Sequence, residues 1–133
     1  MTAADTNVII RFLVRDDEKQ AKRVYRRLKQ AESDRTQVFI SLAVVLETIW
    51  VLESAYDKSR TEILDAITDM RQMPVFSFEK DEVIERLVHD GRRFNKADLS
   101  YILIAHPAQS CGCGKGDTFD KGAATLPFFA LLK

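Results

Sequence analysis

Four acidic residues are spaced along the chain so that an α/β fold could bring them to one point. Asp5 ends a predicted first strand, Glu47 interrupts an apolar run, Asp98 opens L-S-Y-I-L-I-A, and Asp120 lies in T-F-D. Carboxylates that converge repel one another, and their pKa values rise unless a cation neutralises them. Oxygen-rich clusters of this kind suit hard cations such as Mg²⁺ or Mn²⁺. The set therefore predicts a divalent-metal site.

Glu47 carries most of this argument because its sequence neighbours are apolar. It is the only charged residue in S-L-A-V-V-L-E-T-I-W-V-L at 41–52. A buried carboxylate without a partner is very costly, and the same-face neighbours of Glu47 on a helix include no cation. We expect Glu47 to face either a distant Lys or Arg or other carboxylates around a metal ion, and the remaining acids favour the metal.

The other three acids each have a simpler interpretation. Asp5 could cap a helix through Val8, a role for which Asn7 competes. Asp98 lies three residues after Asn95 and could belong to a helix start. Asp120 alone would be an ordinary turn aspartate. The prediction of a metal site therefore rests on the set and not on any single member.

Apolar periodicity predicts alternating strands and helices, and so one α/β domain over 1–133 with a largely parallel sheet. In such a sheet the ligand site lies beyond the C-terminal ends of the strands. Strands are predicted at 1–6, 37–40, 74–78 and 128–132, and helices at 7–15, 17–30 and 80–92, the last of which Gly91 should end. Two further helices are predicted to begin after a Ser41 cap and after a Ser59–Glu62 capping box. A final helix is predicted after an Asn95 cap, and Pro107 should stop or kink it.

Composition indicates a cytoplasmic domain. The 20 basic residues balance the 20 acidic ones, which argues against strong non-specific nucleic-acid binding by the whole surface. The cysteines of C-G-C-G are two apart, a poor spacing for a disulfide, so we interpret them as free thiols. No secretory or transmembrane segment is evident.

In the order and spacing of four sequence segments, the chain resembles the PIN domains, specifically the small VapC-like toxin ribonucleases of toxin–antitoxin pairs. The resemblance lies in A-D-T-N-V-I-I-R-F-L at 4–13, L-E-T-I-W-V-L at 46–52, A-D-L-S-Y-I-L-I-A at 97–105 and T-F-D-K at 118–121. It implies a three-layer α/β/α fold with a four- to five-stranded parallel sheet, and an acidic pocket that holds one or two Mg²⁺ or Mn²⁺ ions.

The resemblance also assigns roles to individual residues. Asp5, Glu47 and Asp98 match the core acids of the family, and Asp120 matches its more variable fourth acid. Thr6 and Asn7 match the D-T-N signature, and Thr118 matches the hydroxyl residue before the fourth acid. We expect Asn7 and Thr118 to orient carboxylates or a metal-bound water.

One region departs from the family pattern. Before T-F-D the chain reads H-P-A-Q-S-C-G-C-G-K-G-D, where the family has a helix leading to an apolar strand. Asp117 stands in place of an apolar strand residue and so competes with Asp120 for the role of fourth acid.

The predicted activity is endoribonucleolytic cleavage of RNA by metal-activated water. Arg92, Arg93 and Lys96 precede Asp98 and are candidates for phosphate contacts, with exposed surface charge as the equal alternative. His89 and His106 are interpreted as structural.

A receiver domain would need paired acids after the first strand, and a haloacid-dehalogenase-like phosphatase would need D-x-D where this chain has D-T-N. The serious alternative is a PIN-fold binding module with weak or lost catalysis. The resemblance further implies a homodimer and a cognate antitoxin. Tyr25, Trp50 and Phe94 could line such a partner surface, although core packing is the better prediction for each.

Overall fold

The computed structural model describes all residues, Met1–Lys133, as short parallel strands alternating with helices. This confirms an α/β fold. The strands are β1 (Thr2–Ala3), β2 (Val38–Ile40), β3 (Phe76–Phe78), β4 (Gly116–Thr118) and β5 (Phe129–Leu131); the helices are α1 (Thr6–Leu13), α2 (Glu18–Ser33), α3 (Leu42–Ser54), α4 (Arg60–Arg71), α5 (Asp81–Arg93) and α6 (Leu99–Ser110), with a 3-10 turn at Ala123–Thr125.

The chain forms two compact units, Met1–Lys80 and Asp81–Lys133. The first holds a three-stranded parallel sheet in the order β1-β2-β3, and the second holds a two-stranded parallel sheet of β4 and β5. A single sheet of four to five strands is therefore not confirmed. No strand is longer than three residues, so each sheet depends on what packs on its faces.

In the first unit, α1 and α3 follow directly after β1 and β2, which places their N-termini at the carboxyl ends of those strands. Asp5 caps α1, and the predicted Ser41 cap of α3 is confirmed by a bond from the Val44 amide to its hydroxyl. The Ser59–Glu62 capping box of α4 is also confirmed. Serine and carboxylate caps satisfy backbone amides that have no partner inside the helix.

The predictions for Gly91 and Asn95 in the second unit are wrong, and of the two alternatives for Pro107 the one in which it stops the helix is wrong. Gly91 does not end α5, which continues to Arg93, because burial of its apolar residues outweighs the cost of about 1 kcal/mol for a helical glycine. Pro107 lies inside α6, which continues to Ser110; the proline removes one backbone bond close to the end of the helix. Asn95 does not cap α6, since the helix begins at Leu99 and Asp98 takes the cap position.

None of the helices is both long enough and apolar enough to cross a membrane.

Candidate active site

Asp5 and Glu47 are linked in the first unit by the residue that follows Asp5. The Thr6 hydroxyl donates a hydrogen bond of 3.2 Å to Glu47 Oε1, across 41 positions of sequence. Asp5 Oδ1 accepts from the Val8 amide at 3.1 Å, so this carboxylate is oriented by the first turn of α1. The start of α1 and the middle of α3 thus carry two carboxylates whose directions are set by hydrogen bonds.

Glu47 is exposed, so the expectation that it is buried and needs a partner to offset the desolvation of its charge is wrong. On α3 the buried side is formed by Val45, Thr48, Ile49 and Leu52, and Glu47 lies on the opposite side together with Ala43 and Trp50. The helix has so many apolar residues that its sequence does not distinguish the buried side from the open one. Glu47 therefore retains solvent around its charge.

Asp98 and Asp120 act on a common neighbour in the second unit, Tyr101. The pKa of the Tyr101 hydroxyl is raised, first by the negative charge of Asp120, then by burial and by the charge of Asp98; a hydrogen bond to Asp120 adds to the effect. Asp98 occupies the cap position of α6, yet its side chain accepts no capping hydrogen bond. Its carboxylate is therefore not used by the helix.

Asp120 is also a turn residue, as its simpler interpretation predicted. Its Oδ1 accepts from the Ala123 amide at 2.7 Å, while its own amide donates to Thr118 Oγ1 at 3.0 Å. Thr118 is buried, and its hydroxyl orients Asp120 through the backbone amide, whereas the expected contact was with a carboxylate or a metal-bound water.

Gly122 allows the Asp120 turn to approach the segment before α6 closely. A Cβ atom at Gly122 would lie 2.7 Å from the Lys96 carbonyl oxygen and 3.1 Å from Asp120 Oδ1. Real Cβ atoms do not come so close to a carbonyl oxygen, so only a glycine permits this contact. The close approach places the Asp120 turn against the chain that leads into Asp98.

Asp117, the rival for the fourth acid, is exposed in β4 and pairs in register with Ala130. Because side chains alternate along a strand, Asp117 faces away from the side on which Thr118 lies. It has no part in the contacts that join Asp120 to Tyr101.

The candidate phosphate-binding residues Arg92, Arg93 and Lys96 are all exposed. Arg93 lies over the Phe94 ring, 5.0 Å from its centroid. Asn7 is exposed as well and lines an open cleft together with Asp5. Cys111 and Cys113 are free and exposed, which confirms the prediction of free thiols.

Thr6 was expected beside the metal ligands from the D-T-N signature, but the sequence did not identify Glu47 as its acceptor. Sequence reasoning missed the roles of Tyr101 and Gly122. Tyr101 could have been found from its position three residues after Asp98, because that spacing brings two residues to one side of a helix start. Gly122 had no signal, because its backbone has ordinary helical angles and only the packing shows why a side chain is excluded.

No group of three or more acidic, histidine or cysteine side chains that could hold a metal ion occurs within either unit. Each unit offers two carboxylates. Their chemistry fits a hard cation, since the donors are oxygens and the Asp98 carboxylate is not engaged in a helix cap.

Comparison with family models gives a match to the PIN domain over residues 3–122 of the 133. The chain belongs to the PIN-domain family. This PIN protein is therefore a nuclease-like module, at a coarse level a hydrolase that acts on nucleic acid, and divalent metals are general in its family. Searches of curated proteins and of solved structures returned no match.

Proposed function

We propose that this PIN protein is an endoribonuclease that depends on Mg²⁺ or Mn²⁺ and is the toxin of a VapC-like toxin–antitoxin pair in the cytoplasm. The observation that carries the proposal is the Thr6–Glu47 hydrogen bond of 3.2 Å, because it joins the D-T-N segment to the acid of α3. Two separate parts of the family pattern thereby come to one place in the fold.

Asp5, Glu47, Asp98 and Asp120 would hold the cation, with Asp120 preferred to Asp117 because Asp120 shares Tyr101 with Asp98. When bound, a hard divalent cation supplies positive charge that acidifies water and offsets the charge developing on the phosphate. The chain itself orients the ligands: Thr6 directs Glu47, and Thr118 fixes the turn that carries Asp120. Tyr101 donates a hydrogen bond to Asp120, and the pKa of its hydroxyl is raised, first by the negative charge of that carboxylate.

Cleavage of a mixed cellular RNA pool by the purified protein tests this proposal. Reactions contain Mg²⁺, Mn²⁺ or EDTA, and the matched control is Asp98→Asn, which keeps the size of the side chain and removes its charge. We expect discrete fragments with either metal and none with EDTA or with the variant. Intact RNA after incubation with folded wild-type protein and metal would contradict the nuclease and favour a PIN-fold binding module.

Exposed aromatic residues support a protein partner, either a cognate antitoxin or a second copy of this chain. Tyr25 and Trp50 have exposed fractions of 53% and 69%, so the prediction that they pack in the core is wrong. Trp50 lies on the same side of α3 as Glu47. A partner that covered Trp50 would therefore also restrict access to Glu47, which is how an antitoxin would silence the enzyme.

A further inference from the structure

An open cleft of about 350 Å³ runs between α1 and α2 in the first unit. One side of the cleft is formed by α1 at positions 7, 8 and 11, and the other side by α2 at positions 20, 23, 24 and 27. These spacings put each set of residues on one face of its helix. The lining residues are Asp5, Asn7, Val8, Arg11, Gln20, Arg23, Val24 and Arg27. Asp5, one of the proposed metal ligands, is thus also a wall of this cleft.

The cleft is basic. Three guanidinium groups line it against the single carboxylate of Asp5. Arg11 is bound to Gln20 through Nε at 2.7 Å, and through Nη1 to Asp16 at 3.0 Å and to the Tyr56 hydroxyl at 3.1 Å. These bonds hold Arg11 in place and leave its Nη2 group for another acceptor.

The two arginines of α2 that line the cleft use fewer of their hydrogen-bond donors than Arg11 does. Arg27 donates one hydrogen bond of 2.6 Å, to the Thr2 hydroxyl, and Arg23 is exposed and lines the cleft without an ion pair. They are one helical turn apart, about 6 Å along the axis. That spacing is comparable to the separation of successive phosphates in an extended strand.

We propose that this cleft binds the sugar–phosphate backbone of single-stranded RNA next to the bond that is cut, with Arg23 and Arg27 on successive phosphates. The proposal rests on the nuclease function proposed above. A strand lying in the cleft passes Asp5, so the cleft delivers a phosphodiester to the proposed metal ligands.

The chemistry of the lining indicates what is recognised. No aromatic residue lines the cleft, so bases have no stacking surface there, and the apolar contribution comes only from Val8 and Val24. Guanidinium groups instead match the oxygens of phosphates, which position a nucleic acid without reading its sequence. The cleft therefore contributes affinity and register, while sequence choice is made elsewhere.

Binding of a fluorescein-labelled oligouridylate of about 12 nucleotides, followed by anisotropy in EDTA on the Asp98→Asn background, tests the proposal without cleavage. Salt is varied between about 50 and 200 mM. Arg23→Gln should weaken binding about fivefold, the upper range for an exposed ion pair. It should also lower the slope of log affinity against log salt by about 0.7, the value for one phosphate contact on a single strand. Arg23→Lys should retain most of the slope.

Arg26→Gln is the matched control, because Arg26 is exposed on the same helix and does not line the cleft. Equal slopes for Arg23→Gln and Arg26→Gln would overturn the proposal, as would wild-type protein that does not bind the probe. Tighter binding of hexaglutamate than of the oligouridylate, sensitive to Arg23, would also overturn it and assign the cleft to an acidic protein partner.

Cleavage in Mg²⁺ separates this proposal from the proposed function. A raised KM with an unchanged kcat in Arg23→Gln supports the cleft. Cleavage unaffected by Arg23→Gln rejects the cleft and keeps the nuclease, whereas Arg23-dependent binding without any cleavage by wild-type protein keeps the cleft and rejects the nuclease.

Discussion

Thr6 fixes the direction of the Glu47 carboxylate through one hydrogen bond of 3.2 Å. Thr6→Val removes the hydroxyl and keeps the branched shape of the side chain, so we expect RNA cleavage to fall about 10- to 100-fold, the usual cost of losing a group that orients a metal ligand. Initial rates at saturating Mg²⁺ measure the effect. Thr6→Ser retains the hydroxyl and should keep most activity; equal loss in both variants would show that the hydroxyl is not what matters.

Gly122 permits the contact between the Asp120 turn and the Lys96 carbonyl. Its backbone angles of φ −63 and ψ −47 suit any residue, so Gly122→Ala tests the contact and not conformational strain. We expect the free energy of unfolding to fall by about 1–3 kcal/mol, as for other overpacked sites, together with a loss of cleavage as Asp120 moves. Urea unfolding and rate assays measure the two effects.

Gly114→Ala is the control for Gly122→Ala, since nothing lies within 4 Å of a Cβ atom at Gly114. It should leave stability and cleavage close to those of the wild type. If Gly114→Ala and Gly122→Ala were equally stable and equally active, the close approach at Gly122 would not be needed for stability or for cleavage.

The example of Glu47 shows what sequence could and could not predict about the site. Its importance was visible because it stands alone in an apolar run, but the reason given, burial, is wrong because Glu47 lies on the exposed side of α3. The sequence pattern carries the identity of the acids. Which side of an almost uniformly apolar helix is covered depends on neighbours that lie far away in sequence.

The helices α5 and α6 are joined by a buried polar pair. His106 Nε2 donates to Asp90 Oδ2 at 2.7 Å, and the His106 side chain is only 3% exposed. Asp90→Ala leaves this ring N–H without a partner, so we expect the free energy of unfolding to fall by about 1.5–3 kcal/mol, the range for hydrogen bonds to charged groups. Urea denaturation followed by circular dichroism measures the loss.

His89 offers the control, because it contacts the same carboxylate from a side chain that is 74% exposed. His89→Ala should change the free energy of unfolding by no more than about 0.5 kcal/mol, as is usual for exposed positions. A cost for His89→Ala equal to that for Asp90→Ala would mean that the exposed contact, and not the buried bond, stabilises the helix pair.

Helix starts were predictable where a side chain bonds to the backbone locally. Ser41 and the Ser59–Glu62 box lie where predicted, because such caps need only residues three positions apart. Gly91 and Pro107 were misjudged, because burial of distant residues outweighs their local cost. The number of strands in each sheet was also beyond prediction, since strands of two or three residues carry little periodicity of their own.

Each compact unit carries two of the four acids, Asp5 and Glu47 in one and Asp98 and Asp120 in the other. If all four serve one cation, losing any ligand disables the whole set, and losses from the two units are not independent. We therefore expect Glu47→Gln and Asp98→Asn each to reduce cleavage by at least about 100-fold, the upper end of the range for groups that only orient a metal ligand. The double variant should be as active as the less active of the two single variants. Growth inhibition on expression should disappear in all three.

The loss of cleavage in the double variant decides whether the four acids serve one shared cation. Two separate functions would give fold-losses that multiply, whereas one shared centre gives losses that do not. Circular dichroism and urea unfolding must show that each variant is folded, which we expect because removing one of several like charges relieves repulsion when no metal is bound. A folded Glu47→Gln protein that still cleaves RNA and inhibits growth like the wild type would contradict the shared-metal proposal. Glu47 would then be only an exposed residue on the same side of α3 as Trp50.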